Sequence, residues 1–498
     1  MTQTASPREK KVLGGSRLLI DGQLRASSSG ATYVDENPAT EEELCRVPDG
    51  NAEDMNAAVW AARTAFDSGT WANDAEFRSH CLRQLHEALS EAKDELRAGI
   101  VAETGAPVAL ASTLQLDWPL TFFERMIDIA SGEEWEQELV VGSPEIGTGR
   151  RLVRREPAGV VSVITPWNYP LYLNVGKVGT ALAAGCTVVL KPAIETPWNA
   201  LALGEIIATA TDIPPGVVNV VSTQDNGAAE ILTTHPAVDA VTFTGSTSTG
   251  RRIAANAAAT IKRTTLELGG KSAAVLLNDA DLDRFVPIYA SAACRHAGQG
   301  CGLNTRLLVP RRDLNTCVDL AQAAMESVPY GDPTDPNNVM GPVISARQKE
   351  RVLAMIDAAK PDGGLVSGGG PASQFDRGYF IQPTLFADID PGSQLAQEEV
   401  FGPVLVILPY DSIDHAVELA NGTIYGLSGA VVGRDVDRAL EVARRLRTGT
   451  VSINESPWIH PDSPFGGYKQ SGIGREWGIE GLRDFTEIKT IGLPRGER

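Results

Sequence analysis

Cys301 is the side chain whose surroundings in the sequence best suit covalent chemistry. It ends the run Gly298-Gln299-Gly300-Cys301 and is followed by Gly302. Because glycine stands on both sides, a carbonyl substrate can approach the sulfur closely and main-chain N–H groups can face it. A thiolate is a strong nucleophile, whereas a single cysteine is more often a small buried apolar residue. The choice between these readings therefore depends on the other residues of the chain.

Two further polar residues have types that suit the same chemistry. Glu267 precedes a pair of glycines, and an apolar pocket would raise the pKa of its carboxyl and make it a candidate base. Asn168 stands between Trp167 and Tyr169, and its amide is a suitable donor to a developing oxyanion. The alternatives are a solvated helix cap for the glutamate and a turn former for the asparagine.

Other residues suit a dinucleotide. The turn 245–250 reads Gly-Ser-Thr-Ser-Thr-Gly and opens a predicted helix, whose N-terminal N–H groups suit a pyrophosphate. It matches neither standard nucleotide fingerprint, so a simple capped turn stays an alternative. Lys191 follows a predicted strand, and Glu399 and Phe401 stand beside a rigid Gly-Pro turn. The lysine and the glutamate could hold ribose hydroxyls, and the ring could pack a nicotinamide; a surface lysine and a helix cap are the alternatives.

The elements that must position these residues form an α/β pattern. Val-rich runs that alternate with helices predict strands at 159–165, 185–190, 217–221 and 240–243. The pattern is typical of a doubly wound parallel sheet, in which ligands bind at the carboxyl ends of the strands. A second α/β unit follows, with predicted strands at 272–277, 306–309, 404–408 and 449–453.

Composition limits the function classes. The chain has 498 residues, 43% of them hydrophobic, so two or three soluble domains are expected. A net charge of −19 argues against a nucleic-acid binder. Six cysteines without a CxxC pair predict free thiols in a reducing compartment and no metal site. No apolar run has the length of a signal or membrane segment. We expect a cytoplasmic protein without membrane or nucleic-acid partners.

Seven stretches then identify a family. They read TPWNYP, LKPA, FTGSTSTGR, LELGGKS, GQGC, EEVFGPV and PFGGYKQSGIGRE, in that order. Together they resemble the signature stretches of the aldehyde dehydrogenase superfamily, and the resemblance extends over about residues 17–492. The LELGGKS and GQGC pair is the most specific part, since the spacing of Glu267 and Cys301 also matches the family's pattern.

The resemblance implies a mechanism. Cys301 would attack an aldehyde to give a thiohemiacetal, with the Asn168 amide and the Cys301 N–H as oxyanion hole. Hydride transfer would leave a thioester, which water hydrolyses. Glu267 would serve as base toward the thiol and then toward the water. Lys177 and Glu476 would form a proton relay to solvent.

The resemblance also implies an NAD site. Its residues would be Ile164, Thr165, Pro166, Trp167, Lys191, Gly245, Ser246, Gly269, Glu399 and Phe401. One departure is Ile194, because strictly NAD-dependent relatives often carry a ribose-binding glutamate there, and Glu195 comes one place later. NADP is therefore possible. NAD is favoured, since no added arginine or lysine stands nearby in the sequence.

For the substrate tunnel the resemblance implies small and mostly aromatic walls without an arginine. The residues are Tyr169, Tyr172, Leu173, Gly176, Gly300, Gly302, Trp458 and Phe465. This set predicts a medium or bulky apolar aldehyde rather than a semialdehyde acid.

The implied architecture has three parts. They are a dinucleotide-binding domain (1–130 and 151–266), a catalytic α/β domain (267–475) and a small β oligomerisation element (131–150 and 476–498). A homodimer or homotetramer is expected. Two rival functions stay open: a semialdehyde dehydrogenase that passes its acyl group to coenzyme A, and a non-catalytic structural or ligand-binding relative. The intact Asn168, Glu267 and Cys301 set argues against both.

Overall fold

The computed structural model describes residues 13–143 and 147–494. The strands of this part are β1 (Leu18–Ile20), β2 (Gln23–Arg25), β3 (Thr32–Asn37), β4 (Glu42–Pro48), β5 (Glu136–Ser143), β6 (Gly147–Pro157), β7 (Val160–Ile164), β8 (Thr187–Lys191), β9 (Val218–Val220), β10 (Ala240–Thr244), β11 (Arg263–Glu267), β12 (Ser272–Leu276), β13 (Asn304–Pro310), β14 (Leu365–Ser367), β15 (Thr384–Ala387), β16 (Val404–Tyr410), β17 (Ser428–Val432), β18 (Thr450–Ile453), β19 (Gly472–Ile473) and β20 (Thr486–Leu493).

The α-helices of the same part are α1 (Ala52–Asp67), α2 (Thr70–Asn73), α3 (Ala75–Glu91), α4 (Lys93–Thr104), α5 (Val108–Ser112), α6 (Trp118–Gly132), α7 (Pro170–Ala183), α8 (Pro197–Ala210), α9 (Asn226–Thr234), α10 (Thr247–Ala258), α11 (Leu282–Ala292), α12 (Leu314–Glu326), α13 (Ala346–Ala359), α14 (Gln394–Gln397), α15 (Ile413–Asn421), α16 (Val436–Ala443) and α17 (Gly478–Arg483). No helix in the described ranges has the length and apolar character needed to cross a membrane.

The first sheet has the strand order β19-β11-β10-β7-β8-β9-β1-β2. Its five strands from β11 to β9 are parallel; β19 is antiparallel to β11 at one edge, and the antiparallel hairpin β1–β2 joins β9 at the other. The strands β7, β8 and β10 are buried almost throughout, because helices cover both faces of a parallel sheet. Their continuous Val-rich runs follow from this burial. The predicted doubly wound sheet is confirmed.

The second sheet has the order β14-β15-β16-β13-β12-β17-β18 and is parallel except at β14. The four predicted strands are present as β12, β13, β16 and β18, whereas β14, β15 and β17 were not predicted. Each of the two sheets has its own hydrophobic core: one lies mainly between residues 18 and 268, the other between 273 and 446. The chain therefore passes from one core to the other at the LELGGKS stretch.

A small antiparallel sheet with the order β20-β6-β5 stands apart from both cores. β5 and β20 lie in the two stretches assigned by resemblance to oligomerisation (131–150 and 476–498), whereas β6 extends past residue 150 to Pro157, into the stretch assigned to the dinucleotide-binding domain. Residues 144–146 and 495–498 of those stretches lie outside the described part of the chain. The oligomeric role and the domain boundaries stay predictions.

The strand ends of the first sheet bring the polar residues together. Asn168 follows β7, Lys191 ends β8, Gly245 follows β10 and Glu267 ends β11. Because these strands are parallel neighbours, their carboxyl ends lie along one edge. The loop that carries Cys301 leads into β13 of the second sheet.

Candidate active site

A cavity of about 400 Å³ opens where the two large sheets meet. Its walls include Asn168, Thr244 at the end of β10, Glu267, Cys301 and Glu476. Cys301 is the only cysteine that lines it, and its side chain is partly exposed. The thiol therefore lies at a cleft beside the Gly245 turn, not in a sealed interior.

The loop before Cys301 has an unusual backbone. His296, Ala297 and Gly298 have φ values of 50°, 52° and 74°, all in the left-handed region. Glycine is required at 298, because a Cβ there would overlap the carbonyl of Gly402. Burial raises the pKa of the Cys301 thiol to about 12, and the carboxyls of Glu399 and Glu267 add to the shift. The protein therefore holds the sulfur as a thiol that needs a base.

Asn168 lies beside this loop with its carboxamide in the cavity wall. Its Nδ2 donates to the main-chain oxygen of Gln299 at 2.9 Å, which leaves one amide N–H for a ligand. Its own main-chain oxygen accepts from the His296 ring at 2.7 Å. An amide held in this way is a suitable donor to an oxyanion formed near Cys301.

Glu267 is 2% exposed, and neither carboxylate oxygen has a hydrogen-bond partner among the described residues. Burial raises the pKa of Glu267 well above its ordinary value, the nearby Glu476 raises it further, and Lys177 opposes the shift. A Cβ at residue 466 would lie 2.7 Å from Glu267 Oε1, so Gly466 leaves the space that the carboxyl occupies. A buried carboxyl with a raised pKa is typical of a general base.

Lys177 and Glu476 form a buried ion pair behind this carboxyl. Lys177 Nζ also donates to Thr242 Oγ1 at 2.9 Å. Glu476 lines the cavity and is 9% exposed. The structure therefore brings both residues next to Glu267, as the resemblance predicts. Within the described ranges, no group of three or more His, Cys, Asp or Glu side chains is placed to hold a metal ion.

The turn before α10 offers the helix N-terminus expected for a pyrophosphate. Ser246 is the N-cap residue, and its Oγ accepts from the Thr249 N–H at 3.2 Å. The Gly245 N–H is not free, because it donates to the Glu267 carbonyl at 3.0 Å. The first N–H groups of the helix, which have no partner within a helix, are left to bind an anion.

Glu399 and Gly269 form a tight contact on the other side of the cleft. The Gly270 N–H donates to Glu399 Oε1 at 3.0 Å, and a Cβ at residue 269 would overlap that carboxyl. Burial raises the pKa of Glu399 to about 7. The Phe401 ring meets the Trp167 ring edge-on at 5.2 Å. A carboxyl and two rings thus line the place assigned to the nicotinamide ribose.

Lys191 lies at the end of β8 with its Nζ donating to the Pro192 carbonyl at 2.7 Å. Burial lowers the pKa of Lys191 to about 8, and Glu195 opposes the shift. Glu195 in turn pairs with Arg347 at 2.7 Å. The sequence around Lys191 contains no added arginine or lysine, because Arg347 lies on α13, far along the chain.

The last cofactor residues lie at the end of β7. Ile164 pairs with Lys191 in the parallel register, and the Thr165 N–H donates to the Lys191 carbonyl at 3.1 Å. Pro166 and Trp167 follow directly and are partly exposed. This segment therefore connects the ribose lysine with the Asn168 amide.

Seven of the eight residues assigned to the substrate tunnel line the cavity. They are Tyr169, Tyr172, Leu173, Gly300, Gly302, Trp458 and Phe465. The rings of Trp458 and Phe465 stack at 5.3 Å. Gly176 does not line the cavity, because the Trp477 ring lies against it.

Two features of the wall were not predicted. Phe122 and Trp477 meet edge-on at 4.9 Å and form an aromatic wall from distant parts of the chain, with no local motif to indicate it. The expectation of a wall without arginine is wrong, since Arg295 lines the cavity. The Arg295 side chain is exposed and makes no ion pair with the described residues. The position of Arg295 shortly before Cys301 in the sequence was the feature that could have indicated its place in the cavity wall.

Comparisons with known proteins show the family of the chain. The model of the aldehyde dehydrogenase family matches residues 25–491. Geranial dehydrogenase of Castellaniella defragrans is 41% identical, with 96% of this chain and 98% of that protein covered. Aldehyde dehydrogenase C of Pseudomonas syringae, solved as a variant with NAD+ and octanal, is 39% identical, with 98% of each chain covered and a TM-score of 0.91. An aldehyde dehydrogenase of Mycobacterium tuberculosis, solved with NAD+, is 41% identical, with 97% of this chain and 99% of that chain covered and a TM-score of 0.93.

Proposed function

The chain belongs to the aldehyde dehydrogenase family, and from this we propose that it oxidises a medium or bulky apolar aldehyde to the acid through a covalent intermediate on Cys301. The observation that carries the proposal is the shared cavity of Cys301, Asn168 and Glu267. A nucleophile, an oxyanion donor and a base are the three groups that this reaction needs.

The first step is attack of the Cys301 sulfur on the aldehyde carbon. The S–H proton passes to Glu267, and the carbonyl oxygen becomes an oxyanion that accepts from the free Asn168 amide N–H and the Cys301 main-chain N–H. A thiol with a pKa of about 12 reacts poorly by itself, so proton removal and attack must be coupled.

The residues around the cleft fit a nicotinamide dinucleotide. The α10 N-terminus would hold the pyrophosphate, Lys191 the adenosine ribose, and Glu399 with Phe401 the nicotinamide side. When bound, the nicotinamide accepts the hydride that leaves the aldehyde carbon. NAD is bound in the related structures from Pseudomonas syringae and Mycobacterium tuberculosis. NADP stays possible here, because Ile194 does not repel a 2′-phosphate and Arg347 is a nearby cation.

Loss of the hydride leaves a thioester on Cys301. Before hydrolysis, Lys177 and Glu476 would carry the S–H proton away from Glu267 to solvent. Water then attacks the thioester carbon and gives a proton to Glu267. The carbon–sulfur bond breaks, the acid leaves, and the sulfur takes that proton from Glu267 to become a thiol again. Glu267 supports hydrolysis of the thioester rather than transfer of its acyl group to coenzyme A, because that transfer does not require a base that activates water.

The aromatic walls support an apolar substrate. Stacked Trp458 and Phe465 and the Phe122–Trp477 pair would bury a ring or an alkyl chain. Two relatives support this substrate class, since one is named a geranial dehydrogenase and another was solved with octanal.

A second candidate substrate is a semialdehyde acid, and Arg295 favours it. An exposed guanidinium without an ion pair among the described residues could bind a distal carboxylate at the cavity wall. This candidate has the same chemistry at Cys301 and differs in the substrate tail only.

An absorbance assay of NADH formation tests the proposal. Octanal, benzaldehyde and succinic semialdehyde would be compared with NAD and with NADP, with and without coenzyme A. We expect the apolar aldehydes to be preferred, turnover to be independent of coenzyme A, and Cys301→Ala to lose oxidation while it still binds NAD. Full activity of Cys301→Ala would overturn the mechanism, and a clear preference for the acid would overturn the substrate class.

A further inference from the structure

His296 contacts the oxyanion donor from the side away from the substrate. The residue is 1% exposed, and its Nε2 lies 2.7 Å from the main-chain oxygen of Asn168. A carbonyl oxygen only accepts, so Nε2 carries the hydrogen and Nδ1 does not. Nδ1 has no partner among the described residues. The ring is therefore oriented by this single bond.

The ring stays neutral across the usual pH range. Burial lowers the pKa of His296 to about 4, although the bond to Asn168 opposes the shift. The nearest ring is that of Tyr169, at 5.3 Å with the planes inclined by 55°. Tyr169 directly follows Asn168, so His296 contacts two successive residues of the oxyanion segment.

Gln299 completes a closed hydrogen-bonded connection. Its main-chain oxygen accepts from the Asn168 side chain, and its own side chain donates to the His296 carbonyl at 3.0 Å. Its Oε1 accepts from the Ile344 N–H at 2.9 Å. Gln299 is fully buried, so the connection is protected from water.

We propose that His296 is a positioning residue that fixes Asn168 relative to Cys301, by holding the Asn168 backbone while Gln299 holds its carboxamide. The inference rests on the proposed function, since it assigns His296 to the oxyanion donor of that reaction.

A matched pair of variants tests the bond. Gln and Met have similar length and shape, and both accept a left-handed backbone equally poorly. His296→Gln keeps an N–H donor, whereas His296→Met removes it. We expect kcat of the Met variant to fall about tenfold with the KM for NAD nearly unchanged, because misplacing a catalytic group by a fraction of an ångström has an effect of this order. The Gln variant is expected to stay within about threefold of the wild type.

A double-variant cycle with Asn168→Ala separates positioning from general stability. Asn168→Ala alone should lower kcat about 100-fold or more, as loss of an oxyanion donor does. In that background His296→Met should cost less than about twofold. The positioning role would be refuted if kcat of the double variant fell by the product of the two single losses. Equal losses of kcat in the His296→Met and His296→Gln variants would also refute it.

The two proposals fail in different ways. If Asn168→Ala keeps wild-type activity, the oxyanion assignment of the proposed function is wrong. If Asn168→Ala loses activity as expected but His296→Met and His296→Gln lose kcat equally, the positioning role of His296 is wrong and the proposed function stands. Circular dichroism and thermal unfolding check the fold. Should the Met variant not fold, a tenfold loss in a folded Gln variant contradicts the inference by itself.

Discussion

At the scale of single residues, the site disfavours the charged form of each reacting group, the Cys301 thiolate and the Glu267 carboxylate. Burial raises the pKa of the Cys301 thiol and of the Glu267 carboxyl together. Lys177 is the cation that opposes the shift of Glu267 most strongly. Because ionising either group alone is unfavourable, proton transfer between them suits the moment at which the aldehyde binds.

Glu267 should therefore control the acid limb of the pH profile. Its carboxylate is the active form, and a raised pKa means that kcat increases as pH rises through that raised value. We expect Glu267→Gln to lose about 100-fold or more in kcat and to abolish this limb. Steady-state NADH formation between pH 5.5 and 9 measures both effects.

Glu455 provides the control, because it lines the same cavity but pairs with Arg284 at 3.3 Å near the surface. Glu455→Gln should keep the profile of the wild type. If Glu267→Gln kept the pH profile of the wild type, Glu267 would not be the base of the reaction.

At the scale of elements, three glycines near the site leave space for side chains of other segments. Gly466 leaves room for the Glu267 carboxyl, Gly269 for Glu399 and Gly176 for the Trp477 ring. None of these three glycines has a positive φ. Their lack of a side chain, and not an unusual backbone, is what the site requires.

Gly466→Ala should therefore damage catalysis by displacing the Glu267 carboxyl. A Cβ 2.7 Å from Oε1 is closer than van der Waals contact allows, so the carboxyl must move. We expect kcat to fall about tenfold to 100-fold, with aldehyde binding less affected. Steady-state kinetics of the purified variant measure the change.

Gly132→Ala is the matched control, because Gly132 ends α6 and its Cβ would meet no atom within 4 Å. It should keep wild-type kinetics. Equal activity of both alanine variants would show that the Glu267 carboxyl has room to move.

At the scale of the whole molecule, the site lies between two cores, and a third, small sheet extends from them. In β20, Ile488 is 58% exposed and Ile491 is 37% exposed. β20 is an edge strand, paired with β6 on one side only. An edge strand with exposed apolar side chains favours pairing with another chain, which agrees with the predicted homo-oligomer.

Charged substitutions on β20 should weaken that oligomer. We expect the wild type to be a dimer or tetramer by light scattering after size exclusion, and Ile488→Lys with Ile491→Lys to shift it toward smaller species. Val436→Lys is the control, because Val436 is 55% exposed but lies at the start of α16, outside the sheets. A monomeric wild type would refute the prediction.

The sequence alone indicated the chemistry-bearing residues and the strands that precede Asn168 and end at Lys191, whereas β11, which ends at Glu267, was not predicted. Cys301, Glu267, Asn168 and Lys191 could be found because each stands at a strand end or in a short glycine-flanked run. Such features depend on neighbours within a few residues, and a parallel sheet then aligns the strand ends at one edge.

Only the tertiary structure decided what surrounds those residues. Two contacts join segments that are far apart in the sequence: the aromatic pair Phe122–Trp477 and the ion pair Glu195–Arg347. The position of Arg295 in the cavity wall depends on how the loop before Cys301 turns. The raised pKa values of Cys301 and Glu267 likewise follow from burial, which depends on how the two cores pack together. Local patterns specify which groups are present, whereas long-range packing determines their distances, their solvent exposure and hence their reactivity.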